Sequence, residues 1–86
     1  MKTIYTLVHK DTSERCFRTY ASIAGARIAQ RHRNRKLGFH TRIERLEDED
    51  CVEIERCINS EGNVEDATYS IHTVLVEDDE FERLFA

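Results

Sequence analysis

One long stretch of this chain has the composition and spacing of a helix, and most of what surrounds it reads as strand or turn. Ile23–Lys36 (IAGARIAQRHRNRK) is dense in helix formers, Ser22 precedes it as an N-cap, and Gly38 follows it as a stop. Arg35 and Lys36 suit the negative end of the helix dipole. One helix of this length covers one face of one sheet, so the expected class is α+β. The expected architecture is an antiparallel sheet of about five strands with the helix packed on a face. Ala21, Ala24 and Ile28, with Ala29 or His32, share a stripe at helical spacing, which predicts that Ala24 and Ile28 pack onto the sheet. Gly25 beside that stripe predicts a close approach to the sheet.

The flanking segments supply the strands. Lys2–His9 and Arg15–Tyr20 are rich in Thr, Ile, Val and Tyr and are separated by a polar turn of hairpin length. Residues 39–46 form a third expected strand. Residues 51–59 alternate, with Val52, Ile54 and Ile58 (and Arg56 among them) on one face and Glu53 and Glu55 on the other. Residues 60–63 read as a turn, and residues 67–76 as the last strand. Residues 78–86 read as a short terminal helix with Phe81, Leu84 and Phe85 packing down. The order is β-β-α-β-β-β.

With 86 residues, a 40% hydrophobic and 35% charged composition and no Pro, the chain is expected to be one soluble domain, residues 1–86, with a modest core. No apolar run reaches the roughly 18 residues of a membrane span, and the N-terminus lacks the apolar core of a signal peptide. The expected place is the cytoplasm, that of the host if the protein is viral, with no membrane partner. Cys16, Cys51 and Cys57 lack a framework spacing and read as reduced thiols.

Charge is divided along the chain. Residues 1–45 carry eleven Lys/Arg against three Asp/Glu, a balance of +8. Residues 46–86 carry two against fourteen, a balance of −12. Arg27, Arg31, Arg33, Arg35 and Lys36, continued by Arg42 and Arg45, form a basic stretch opposed only by Glu44. Such a patch can grip phosphates or an acidic protein, or be a solvated face paired with the acidic half. No aromatic residue lies between Tyr20 and Phe39, so stacking on single strands is not expected. Glu47, Asp48, Glu49 and Asp50 form an acidic turn that could enter a basic nucleic-acid channel or simply solubilise the surface. Tyr5 and Tyr20, on separate strands, are the aromatic anchors for a partner, with one expected to face away from the helix-covered core. The alternative is that every Tyr packs in the core. The His and Cys positions lack metal-ligand spacing, and no catalytic motif is present. No metal, cofactor or catalysis is expected. The opposite charges of the two halves leave a homo-oligomer open.

Local strings narrow these classes. Met1-Lys2-x-x-Tyr5, Ala26-Arg27-Ile28-Ala29 and Phe39-His40 with Arg42-Ile43-Glu44 resemble a small anti-CRISPR family, encoded by phages, that acts on type I-F surveillance complexes. The resemblance touches about half of the chain. It implies a curved antiparallel sheet with one helix, binding to the backbone subunits of the defence complex, and DNA contact by basic helix residues. Arg27 matches the family directly, whereas Arg31, Arg33 and Arg35 match in character. The acidic runs at 47–50 and 77–80 depart from it. The expected function is stoichiometric inhibition of a host defence or nucleic-acid-processing complex. The alternative is a nucleic-acid-binding module that uses the basic helix.

Overall fold

The computed structural model describes residues 1–48 and 52–86. The elements are β1 (Lys2–His9), β2 (Arg15–Tyr20), α1 (Ile23–Lys36), β3 (Thr41–Glu47), β4 (Val52–Ile58), β5 (Val64–Asp66), β6 (Tyr69–Val76) and α2 (Asp78–Phe85). The class is α+β. The strands form one antiparallel sheet in the order β2-β1-β6-β4-β3, with the three-residue β5 paired to β4 beside this path. β5 falls between the expected turn at 60–63 and the expected strand at 67–76, where the sequence assigns no element, because three residues carry too little alternation to register.

Local chemistry explains α1. The Ser22 hydroxyl accepts from Gly25 N at 3.2 Å, satisfying one of the helix's orphan donors. At the other end Gly38 takes a left-handed φ of +99°. Gly38 N donates to Arg35 O and Phe39 N to Asn34 O, the paired bonds of a Schellman cap.

Which face of α1 lies on the sheet is a correction. The buried stripe is Ala26, Gln30 and Asn34, not Ala24 and Ile28: Ala24 is exposed and Ile28 is 74% exposed. Ala26 joins Leu7 and Ile71 in the main core, flanked by Tyr5, Cys16, Tyr20, Ile23, Ala29 and Tyr69. Gly25 makes no close approach to the sheet. A Cβ there would meet Ser22 Oγ at 3.4 Å and Tyr20 Cδ1 at 3.7 Å, which is ordinary contact.

β4 is the second correction. Glu53, Glu55 and Cys57 are buried beneath α1, while Val52, Ile54, Arg56 and Ile58 are only half-buried on the other face. The helix covers the acidic side because it brings the groups that pair with it. A smaller cluster of Phe39, Cys57 and Ala67 continues the core past the end of α1. On the opposite face the Lys2 ammonium lies 6.0 Å from the Phe81 ring, and Phe81 and Phe85 contact each other at 4.9 Å between centroids. α2 therefore folds back toward β1 on the side away from α1.

Candidate functional site

β4 is paired to β6 at Val52–His72 and Glu53–Ile71, and to β5 at Arg56–Asp66 through Ile58–Val64. Where β6 parts from β4, the backbone of Tyr69 has no strand to bond on that side. Two amides of α1 fill the gap. Gln30 Nε2 donates to Glu53 O at 3.1 Å and Tyr69 O at 3.0 Å. Asn34 Nδ2 donates to Tyr69 O at 3.1 Å and to Glu55 Oε1 at 2.9 Å, and Tyr69 N donates to Asn34 Oδ1 at 2.9 Å. Buried backbone groups must be paired, so these amides hold α1 in one register on the sheet.

Three members of the basic stretch are drawn into the same seam. Arg27 donates to both Glu53 oxygens, at 2.7 and 3.1 Å, and Arg45 to Glu53 Oε1 at 2.6 Å and Gln30 Oε1 at 3.1 Å. Burial opposes ionisation of Glu53, but the two guanidiniums outweigh it and hold the carboxyl below its ordinary range. Arg31 donates to Phe39 O at 3.2 Å and His40 O at 2.6 Å. It also lies 3.9 Å from Glu55 Oε2, an oxygen with no hydrogen-bond partner among the described residues. Burial, then the neighbouring Glu55, pushes the Cys57 thiol up, which keeps that thiol protonated and inert. Cys16 and Cys57 are both free thiols.

β3 contributes through an irregularity. Arg42 pairs with Cys57 and Arg45 with Glu55, with a register shift between Arg42 and Glu44. Residues three apart on a regular strand point to opposite faces. The extra residue, Ile43, puts Arg42 and Arg45 on the same side, facing α1. A hollow of about 390 Å³ results, walled by Arg27, Arg31 and Arg35 of α1 and by Arg42 and Arg45 of β3. Ile28 and His32 complete its rim, and no acidic side chain lines it among the described residues. Arg35 and Arg42 are exposed and form no ion pair among the described residues.

The remaining expected residues separate. Lys36 is exposed and borders a different hollow, between α1 and β2. Glu47 and Asp48 are exposed at the far end of β3, and Glu49 and Asp50 lie outside the described residues. Tyr5 and Tyr20 are directly paired across β1 and β2, and both are half-buried against the Leu7–Ala26–Ile71 core together with Tyr69. Neither faces away from the helix, contrary to the expectation, because partners in register share a face. Gln30, Asn34, Glu53 and Glu55 were missed as organisers of the site. The signal available was the i, i+4, i+8 spacing of Ala26, Gln30 and Asn34, which competes with a more apolar stripe.

Among the described residues, no group of His, Cys, Asp and Glu is placed to hold a metal ion, and no helix is long and apolar enough to cross a membrane. Compared with protein-family models, curated proteins and solved structures, the chain matches none of them.

Proposed function

We propose that this chain is a non-catalytic binding protein, a viral inhibitor that acts stoichiometrically on a nucleic-acid-processing defence complex, and that the β3 flank of α1 is its contact surface. The observation that carries the reading is the arginine hollow. Counting Glu53 and Glu55 against its five guanidiniums leaves three positive charges around about 390 Å³. A surface that concentrates cations in this way attracts a polyanion and accelerates association with it. Phosphates presented by a nucleic-acid-loaded complex have that chemistry. The resemblance of 26–29 and 39–44 to an anti-CRISPR family supports the inhibitory role. The same hollow supports the second reading, in which the chain binds duplex nucleic acid by itself.

The test pairs the tagged protein with the loaded complex and with free duplex. Arg35→Gln combined with Arg42→Gln is the variant, since neither side chain is needed by the seam. Under the leading reading the wild type binds the complex at a fixed ratio and the variant binds it more weakly. If free duplex suffices, the module reading holds, and the salt slope of the variant falls by about two phosphate contacts. Binding that survives the Arg pair but is lost in Glu47→Gln with Asp48→Asn moves the contact to the acidic turn. No binding to complex or duplex refutes both readings.

A further inference from the structure

The other flank of α1 is built differently, and we infer that the groove between α1 and β2 receives an acidic protein segment carrying a bulky apolar side chain. The inference deepens the binding reading and rests on it, giving the chemistry of a protein partner rather than of a phosphate. The groove is open to solvent and has a volume of about 720 Å³. Its floor is apolar: Ala29 and the rings of Tyr20 and Tyr69 line it. Its rim carries Ile28 and Leu37, which are 74% and 53% exposed. Aliphatic side chains left in water beside an aromatic floor make a seat for one apolar side chain.

The charge lining the seat is positive, with Glu14 in an adjoining hollow that Arg18 and Arg33 also line. Arg18, Arg33 and Lys36 line the groove, and no Asp or Glu does among the described residues. On the β3 flank Arg27, Arg31 and Arg45 are paired with carboxylates. Here the Arg18 guanidinium lies 5.5 Å from the Tyr20 ring and that of Arg33 lies 5.4 Å from the Tyr69 ring. A ring face orients a guanidinium without occupying its N–H donors, so both remain available to a carboxylate. The exposed Ile28 and Leu37 at the rim offer an aliphatic contact that suits an apolar side chain better than a nucleobase, which favours protein over nucleic acid in this groove.

Gly25 adds an independent indication. Glycine inside a helix costs about 1 kcal/mol against alanine, and a Cβ at this position meets only ordinary contacts. The chain's own packing does not require glycine here. It borders the groove, where it leaves room for an occupant.

The experiment measures binding of a fluorescent synthetic peptide of Glu and Asp residues around a central Leu-Phe pair, beside its Gln/Asn counterpart. Saturable binding of the acidic peptide is expected at low salt. It should weaken about tenfold in Ile28→Asp and in Arg18→Gln with Arg33→Gln, the scale of losing one interface anchor. Ile28 is exposed, so its substitution leaves the fold intact, as circular dichroism would check. Arg35→Gln with Arg42→Gln, on the opposite flank, should leave the peptide affinity unchanged while weakening duplex or complex binding. That separation distinguishes failure of the groove from failure of the arginine hollow. Absence of saturable binding overturns the inference, as does equal affinity for the Gln/Asn peptide. Duplex binding that depends on Arg18 and Arg33, which line the groove and not the arginine hollow, assigns the groove to nucleic acid instead. A concentration-dependent mass abolished by Ile28→Asp assigns it to a second copy of the chain.

Discussion

The inner face of α1 seals two unlike regions. Over β1 and β6, Ala26 closes on Leu7 and Ile71, all at most 1% exposed. That contact is held by buried apolar area, which has no direction. Over β4 and the diverging end of β6, Gln30 and Asn34 close on Glu53, Glu55 and the Tyr69 backbone. That contact is held by hydrogen bonds that exist in only one arrangement. The difference shows how a small sheet can split between two neighbours without losing its pairing. The backbone groups released by the split are met by side-chain amides, which also fix where the helix sits. An apolar stripe alone would tolerate sliding and repacking.

The comparison breaks most readily at Asn34. Asn34→Ala strips the Tyr69 N–H, the Tyr69 carbonyl and a Glu55 oxygen of a partner at once, and should cost about 3–5 kcal/mol, the scale of breaking a buried charged network. Leu7→Ala should cost about 2–5 kcal/mol through transfer and cavity terms. Urea unfolding compares them directly. Asn34→Leu should be no better than Asn34→Ala, since it keeps the volume but not the bonds. A loss below about 1 kcal/mol in either Asn34 variant would contradict the accounting for the seam.

A smaller effect lies at Glu53. Its folded carboxyl is depressed from 4.5, so the stability it contributes is present above that value and is lost as pH falls through the lower folded value. Unfolding followed from neutral pH into acid should show the wild type losing this component and Glu53→Gln lacking it. Parallel acid profiles would mean that Arg27 and Arg45 do not stabilise the anion. The apolar core, having no such group, should not share the dependence. Smallest is Ile28→Ala, which should shift stability by no more than about 0.5 kcal/mol because the side chain is in solvent. A core-sized loss there would restore the helix face expected from the sequence.

The hairpin, the α1 boundaries with Ser22 and Gly38, and the α2 segment were all legible in the sequence, because turns and caps are settled by neighbours within a few residues. The basic character of α1 was equally legible, since composition needs no fold. The use made of its arginines was not. Arg27, Arg31 and Arg45 look interchangeable with Arg35 and Arg42 until β4 is placed beneath the helix. The Ile43 irregularity that turns Arg42 and Arg45 to one side leaves no mark in an alternation pattern. By itself, then, the sequence determined the elements other than β5, their order and the excess of positive charge in the first half, all local quantities. Only the tertiary structure decided which face of α1 is inside, which glutamates are buried and which arginines stay available. Those outcomes depend on satisfying the Tyr69 backbone where β6 leaves β4, and pairing over 35 residues of separation outweighs the small local advantage of burying Ile28.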